Sequence, residues 1–370
     1  MRRILLLVLA GIMLSCPLAQ GSEAMTVAAK GAVLIDADSG RILFAQNADA
    51  MLPEASCTKI MTALLAVENC ALTENVTAGK NAYGVPGTSI YLSEGETLTM
   101  EQMLYGLMLR SGNDAAVAIA EHVSGSVPAF AELANARAAQ LNADAHFVNP
   151  HGLDADGHRA SALGLARIMR EALKHDEFRT ITGTKRKIIP WVGNEYSRVL
   201  ENKNRLLSTY EGATGGKTGF TSKAGRCLVF SAERDGLELI GVVLNCYTWF
   251  DTATVMLDYG FDNYRMERAL EPGQEAAQVT VLGGERASVR AIAAEELSGA
   301  VKIGKAVSVE VDTSALTAPV QAGQVIGTAR LVSGGETIDT CDLIAADAVE
   351  AWSLAAAIRK VLRNWALQFA

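Results

Sequence analysis

The pattern of apolar and polar positions predicts strands on either side of a mostly helical middle region. Residues 32–36 and 41–45 are short apolar runs around a turn rich in Asp, Ser and Gly, which predicts a β-hairpin. Residues 226–232 and 237–244 predict a second hairpin, because an Asp-Gly pair lies between them. Apolar residues at helical spacing predict helices over residues 56–67, 101–109, 115–123 and 161–173, and one that ends near Gly260.

The chain after Pro272-Gly273 has a different pattern. Residues 275–348 are rich in Val, Ala and Gly and contain short β-like segments, which predicts a small separate β domain. Residues 350–370 place apolar side chains on one helical stripe and basic ones on the other face, with Trp352 and Trp365 suited to a headgroup boundary. We expect this amphipathic helix to lie on an anionic membrane surface. The alternative is a terminal helix that packs on the body of the protein.

The first 24 residues have the pattern of a secretory signal. Arg2 and Arg3 precede an apolar run, residues 4–14, that is too short for a permanent transmembrane helix. Ser22 and Ala24 are small residues at the positions that a signal peptidase inspects. We therefore expect residues 1–24 to be removed on export, the alternative being a retained anchor.

Composition excludes several classes of function. The chain of 370 residues has a formal net charge of −8 and only 6% aromatic residues, which argues against nucleic-acid binding. Six cysteines without a CxxC pair predict buried free thiols rather than a disulfide framework or zinc site. His146, His151 and His158 lack a metal-ligand spacing, and no glycine-rich phosphate loop is present, so we expect neither a metal nor a cofactor.

Three short motifs carry candidate chemistry. Ser56-Cys57-Thr58-Lys59 begins a predicted helix, where residues three apart share a face, so Lys59 can act as the base for a Ser56 nucleophile. Ser111-Gly112-Asn113 offers a hydroxyl for proton relay and an amide to hold a substrate. Lys217-Thr218-Gly219 precedes the second hairpin and offers a cation, a hydroxyl and room for a substrate backbone. Each motif alone also fits an ordinary helix start or turn.

Together the motifs are far more specific, because they form the set found in penicillin-binding proteins and class A β-lactamases. With Ser-Gly-Asn as the second motif, the chain resembles the D-alanyl-D-alanine carboxypeptidases, the low-molecular-weight penicillin-binding proteins. The resemblance covers about residues 30–270 and rests on the strings ASCTKIMT (55–62), LRSGNDAA (109–116), NPHGLD (149–154) and GGKTGFT (215–221).

The resemblance implies a fold and a domain plan. The expected class is α+β, with a β-lactamase/transpeptidase-like catalytic domain over residues 25–270. That domain combines a mostly antiparallel sheet flanked by helices with a helical cluster, and the small β domain follows it. The protein would be exported to the cell envelope, at the outer face of the cytoplasmic membrane, and take part in cell-wall remodelling.

The resemblance also implies the reaction, in which the terminal D-Ala is removed from peptidoglycan stem peptides through a Ser56 acyl-enzyme. β-Lactams would be trapped as inhibitors on the same serine. The resemblance implies that Ser56 is the nucleophile and Lys59 its base, and that Ser111 and Asn113 relay protons and position the substrate. Lys217 and Thr218 would bind the substrate carboxylate, and Gly219 would be a substrate-binding position. The backbone N–H groups of Ser56 and Phe220 would form the oxyanion hole.

One departure from the family pattern concerns substrate binding. In some members an arginine before the last helix helps to hold the substrate carboxylate, whereas Trp249-Phe250 fills that place here. We therefore expect binding of the substrate carboxylate to depend more on Lys217 and Thr218. A β-lactamase would need a deacylating glutamate before the third motif, which we do not find. A weakly catalytic binding or sensing protein of the envelope is the alternative from another class.

Overall fold

The structure, a computed structural model, describes residues 25–354 and Ile358. The predicted signal, residues 1–24, and most of the predicted membrane helix, residues 350–370, lie outside the described residues. Within the described part, no helix has the length and apolar character needed to cross a bilayer.

The helical elements comprise a 3₁₀ turn and eight labelled α-helices among the described residues. The 3₁₀ turn is Ala55–Thr58, and the helices are α1 (Lys59–Asn69), α2 (Met100–Leu109), α3 (Asn113–Ser124), α4 (Val127–Gln140), α5 (Ala162–Ala172), α6 (Asp176–Gly183), α7 (Leu206–Thr209) and α8 (Trp249–Asn263). Local chemistry fixes several ends: Thr99 and Gln102 form a capping box at the start of α2, and the Ser161 hydroxyl caps α5.

The strands fall into a catalytic-domain group and a C-terminal group. The first group is β1 (Gly31–Asp36), β2 (Ile42–Gln46), β3 (Asn75–Thr77), β4 (Thr97–Thr99), β5 (Ala145–His146), β6 (Arg159–Ala160), β7 (Arg186–Ile189), β8 (Arg198–Glu201), β9 (Ala213–Thr221), β10 (Gly225–Arg234) and β11 (Leu237–Leu244). The second group is β12 (Tyr264–Leu270), β13 (Glu275–Leu282), β14 (Ser288–Ala293), β15 (Leu297–Lys302), β16 (Val307–Thr313), β17 (Leu316–Thr317), β18 (Val325–Ser333) and β19 (Glu336–Ala345).

The main sheet has five strands in the order β2-β1-β11-β10-β9, and every neighbouring pair is antiparallel. Both predicted hairpins are present in it. Strand β1 pairs with β11 from Gly31 opposite Leu244, so the two ends of the catalytic domain meet at the centre of the sheet. Strand β9 forms one edge.

The two faces of this sheet pack against different helices. Cys227 and Val229 of β10 belong to a core shared with α1, α2, α3 and α5, whereas Leu228 and Phe230 point the other way, into a core shared with α8. This alternation is what a strand buried on both faces requires. The α+β expectation is confirmed: a mostly antiparallel sheet lies between a helical cluster and α8.

The C-terminal strands form a β domain with its own core. Six of them make a sheet in the order β16-β18-β19-β14-β13-β17, and β12 pairs with β15 beside it. The apolar side chains of these strands form a separate buried cluster. Strand β12 lies before the predicted boundary at Pro272-Gly273, and it pairs with a strand beyond that boundary.

Candidate active site

Ser56 lies in the 3₁₀ turn that leads into α1, and Lys59 is the first residue of the helix. The Lys59 Nζ is 3.0 Å from Ser56 Oγ, the proximity that the spacing of the motif predicts. Lys59 is fully buried, whereas Ser56 is partly exposed. The serine can therefore meet a ligand from solvent while its neighbour stays in the protein interior.

The Lys59 amine has two fixed acceptors besides the serine. It donates to Asn113 Oδ1 at 2.7 Å and to the backbone oxygen of His151 at 2.6 Å. The Asn113 amide nitrogen donates to Pro86 O at 2.6 Å, which fixes which end of the amide faces the lysine. A neutral amine has two hydrogens, and both are taken by these acceptors. Its lone pair is then left for the Ser56 hydroxyl proton.

The surroundings favour that neutral form. Burial lowers the pKa of Lys59 well below its usual value, and the neighbouring cations of Lys217 and Lys203 lower it further. Because a base must be unprotonated to accept a proton, this direction of the pKa shift is the one that activation of Ser56 requires.

Ser111 lies in the turn between α2 and α3, with a φ of 65°, in the left-handed region. This conformation is strained for serine and is held by its surroundings. Asp114, near the start of α3, ties the helix to a neighbouring segment: its carboxylate accepts from the backbone N–H of Ile90 at 3.1 Å and of Leu92 at 3.0 Å. The Ser111 hydroxyl itself forms no hydrogen bond with any described residue and so is left available.

The third motif lies inside strand β9, which precedes the β10–β11 hairpin as the sequence predicted. Lys217 is buried, and its Nζ donates to Thr218 O at 2.8 Å. Burial lowers its pKa from 10.5 to about 7. Phe220, the residue after the motif on this edge strand, is 63% exposed. The motif therefore lines the edge of the main sheet with a buried cation behind it.

Gly219 is required for a close approach that the sequence did not predict. A Cβ at this position would lie 2.7 Å from Glu54 O and 3.0 Å from Ser56 N. The space beside the glycine is thus taken by the turn that carries the nucleophile. Cys57 of the same turn packs in the core, as expected, with its thiol 3.5 Å from Lys217 O.

The loop at residues 149–153 supplies a group that sequence reasoning missed, the His151 carbonyl that accepts from Lys59. Asn149 Oδ1 accepts from His151 N at 3.2 Å, which forms an Asx turn, and from Gly152 N at 2.7 Å. Gly152 has a φ of 84°, and a Cβ there would lie 1.9 Å from Ala55 O. The Asn-Pro-His-Gly string is itself a turn signal, but it does not indicate which carbonyl reaches the lysine.

The histidines considered for a metal site have separate partners. His151 is held neutral, because burial lowers its pKa to about 3. The His158 Nε2 lies 2.8 Å from Thr58 Oγ1 and 2.9 Å from Glu54 Oε1, so it contacts the turn of the nucleophile. His146 is exposed and contacts Gly157 O at 3.1 Å.

Two family models match the chain. The model described as D-alanyl-D-alanine carboxypeptidase matches residues 18–248, and the model of the C-terminal domain of penicillin-binding protein 5 matches residues 264–351.

Known relatives are similar over most of the chain. D-alanyl-D-alanine carboxypeptidase DacF of Bacillus subtilis is 33% identical over 350 residues, covering 91% of this chain and 90% of the relative. DacA of Escherichia coli is 34% identical over 336 residues, covering 85% and 82%. The crystal structure of penicillin-binding protein 5 from Haemophilus influenzae superposes with a TM-score of 0.79 at 31% identity, covering 89% of this chain and all of that one (100%).

Proposed function

The chain belongs to the D-alanyl-D-alanine carboxypeptidase family, and from this premise we propose that Ser56 is its acylated nucleophile and Lys59 the base. It is a serine-type carboxypeptidase that acts on peptidoglycan stem peptides ending in D-Ala-D-Ala, in an α+β fold typical of penicillin-binding proteins. The observation that carries the residue assignment is the buried Lys59 amine, held by Asn113 Oδ1 and His151 O with Ser56 Oγ 3.0 Å away.

Acylation follows from this arrangement. Ser56 Oγ attacks the carbonyl carbon of the penultimate D-Ala while its proton moves to Lys59 Nζ. The backbone N–H groups of Ser56 and Phe220 donate to the developing oxyanion, a contribution worth roughly 2.7–4 kcal/mol per donor. When the C–N bond breaks, the amine of the leaving D-Ala takes the proton from Lys59 by way of the Ser111 hydroxyl. An ester on Ser56 and free D-Ala result.

Deacylation reverses the same proton movements. Water attacks the ester carbonyl, its proton passes to Lys59 Nζ, and the Ser56 oxygen recovers a proton as the C–O bond breaks. The shortened peptide leaves with a new carboxylate. Asn113 keeps its place as an acceptor for Lys59 through both steps, while Lys217 and Thr218 hold the terminal carboxylate of the substrate. β-Lactams form the same ester but lack a departing amine, so the acyl-enzyme persists.

We also propose a location from the two ends of the sequence. Residues 1–24 direct export, and residues 350–370 bind the outer face of the cytoplasmic membrane. The basic and apolar stripes of residues 350–370 support the second statement. Flotation of the full chain with vesicles containing anionic lipid, compared with a chain ending at residue 349, tests it. Equal flotation of the two would contradict the membrane role.

Mass spectrometry of the protein after exposure to benzylpenicillin tests the assignment of the nucleophile. We expect one adduct, and peptide mapping should locate it at Ser56. Ser56→Ala should carry no adduct, and the matched surface variant Ser208→Ala should be labelled like the parent. An adduct on another residue, or an unlabelled but folded parent, would contradict the proposal.

A further inference from the structure

Trp249, which stands where some family members have an arginine, lies next to Arg226 in the structure. Trp249 is the first residue of α8, and the Arg226 guanidinium lies over its ring, 5.8 Å from the ring centroid. Arg226 belongs to β10, the strand next to the edge strand that carries the third motif. Some members of the family bring a cation to this place from the start of the last helix. Here the neighbouring strand brings one.

Strand register places Arg226 on the same side of the sheet as the Thr218 hydroxyl. Arg226 is paired with Phe220 of β9, and side chains of paired residues lie on one face. Thr218 is two residues before Phe220 and therefore shares that face. Across two strands, such diagonal neighbours are about 7–8 Å apart at Cα, a distance that an arginine side chain can span.

Its neighbours hold the guanidinium in one orientation. Arg226 Nη1 donates to Tyr247 O at 2.9 Å, and the guanidinium also lies over the Tyr247 ring, 4.7 Å from the centroid. Tyr247 is 79% exposed, so the group is at the surface. Among residues 25–354, no carboxylate pairs with Arg226, and its Nε and Nη2 donate to no other group. A preorganised cation with free donors at a site entrance is suited to bind a carboxylate.

We propose that Arg226 binds the terminal carboxylate of the substrate together with Thr218, in place of an arginine at position 249. The inference rests on the proposed function, because the ligand is the C-terminal carboxylate of a stem peptide. A guanidinium offers two parallel N–H groups to a carboxylate, and these add to the charge of the Lys217 ammonium, which is buried. Arg226 thereby selects for substrates with a free C-terminus.

The test compares kcat/KM for a D-Ala-D-Ala peptide with a free C-terminus and for the same peptide as its C-terminal amide. We expect Arg226→Gln to lower the value for the free acid about 10- to 100-fold, as for loss of a charge-assisted hydrogen bond, mostly through KM. The amide should change less than about twofold, since it presents no charge to the guanidinium. Trp249→Arg in the Arg226→Gln background should restore the preference for the free acid.

Controls separate this role from a structural one. Arg234→Gln removes an arginine of the same strand that lies over Tyr210 and Phe261 instead, and it should leave the acid-to-amide ratio unchanged. Equal losses of kcat/KM for the acid and the amide in Arg226→Gln would overturn the proposal. A second control is Arg205, whose guanidinium lies over the Phe250 ring. Loss of the preference for the free acid in Arg205→Gln would also overturn the proposal.

A second readout keeps the two proposals separate. The rate of acylation by benzylpenicillin, which carries a carboxylate but needs no peptide turnover, should fall in Arg226→Gln. If the parent releases no D-Ala, the carboxypeptidase assignment fails, while this rate still decides the role of Arg226: an unchanged rate overturns it. Arg226→Lys, which keeps the charge, gives the same comparison if Arg226→Gln does not fold.

Discussion

Lys59 illustrates how a single buried residue acquires chemistry from its neighbours. Burial of a lysine costs free energy because the charged form loses its hydration. Here the cost is reduced by a shift toward the neutral amine, and Asn113 Oδ1 and His151 O take its two hydrogens. Lys59, whose charged form is unfavourable in the interior, is thus the group that can accept the proton of Ser56.

Replacing this base by a cation that keeps its proton should stop acylation. A guanidinium stays protonated in proteins, so Lys59→Arg should lower the acylation rate with a fluorescent penicillin by about 10²–10⁴-fold. In the parent the rate should rise with pH as Lys59 loses its proton, and this rise should lie below the usual lysine range. A Lys59→Arg protein that reacts at close to the parent rate would contradict the role of Lys59.

The second buried lysine should reduce stability. Burial lowers the pKa of Lys217 to about 7 in the folded protein, whereas the unfolded chain keeps a value near 10.5. Between these values the unfolded state binds more protons, so stability rises with pH, and below about pH 7 the full cost of burying the charge remains. Lys217→Met should therefore raise the unfolding temperature, more at about pH 6 than at about pH 9, and impair activity.

The surface variant Lys223→Met serves as the control for this measurement and should not reproduce the pH-dependent gain. A Lys217→Met protein with a lower unfolding temperature, or with a gain in unfolding temperature that is larger at high pH, would contradict this prediction. Either result would show that the folded protein stabilises the Lys217 ammonium.

The relation between strand β9 and the 3₁₀ turn of Ser56 determines the shape of the site. Nucleophile and substrate-binding strand belong to different elements, and they meet because Gly219 has no side chain. Both backbones are fixed at this contact, β9 by its pairing with β10 and the turn by the buried His158 and Glu54. The geometry of the site thus depends on an approach between two backbones.

Adding one methyl group at this contact should separate the two elements. In Gly219→Ala the new Cβ would be 2.7 Å from Glu54 O, so β9 or the turn must move. Displacements of about 1 Å can cost about 10²-fold in rate, and we expect a fall of that order in penicillin acylation. Gly79→Ala is the matched control, because its Cβ would meet only the carboxylate end of Glu121. Comparable acylation by both variants would contradict this account.

Strong local signals predicted their elements well. Asp235-Gly236 indicated the β10–β11 hairpin, and the apolar stripe after Ser161 indicated α5. Helix α4 was missed because its buried positions, Phe130, Ala134 and Ala138, are four apart but mostly alanine, which gives a weak apolar stripe. The bounds of strand β9 were not predicted, because its glycines lower β-propensity and its pairing with β10 overrides that preference.

The candidate site was predictable in its residues but not in its geometry. The motifs identified Ser56 and Lys59, and helical spacing indicated their proximity. The carbonyl of His151 comes from a loop 92 residues further along the chain, and only the tertiary fold places it on the lysine. The same holds for the left-handed conformation of Ser111, which no local sequence preference for serine would indicate.

For the molecule as a whole, the β domain contacts the catalytic domain at the end of the sheet away from Ser56. Arg41, just before β2, donates to Ala300 O at 2.7 Å and pairs with Glu336 at 2.6 Å. The strand register places Thr218 level with Ala32 across the sheet, so the β1–β2 turn is several residues further along. We expect this contact to affect stability more than chemistry.

Loss of the Arg41 contact should accordingly lower stability and leave the site intact. Arg41→Ala removes a hydrogen bond to a partly buried carbonyl, and we expect the unfolding temperature to fall by about 2–4 °C. Penicillin acylation should stay within about twofold of the parent. Arg330→Ala, which breaks an exposed ion pair inside the β domain, is the control and should change neither quantity appreciably. A large loss of acylation in Arg41→Ala would indicate coupling between the domains.

Release of free D-Ala from a pentapeptide stem ending in D-Ala-D-Ala tests the central claim most directly. The parent protein should release one D-Ala per peptide with repeated turnover, and folded Ser56→Ala should release none, because the proposed acyl-enzyme forms on the Ser56 oxygen. Ser208→Ala should behave like the parent. Release by Ser56→Ala at the parent rate, or no release by a folded parent that penicillin still labels at Ser56, would contradict the account.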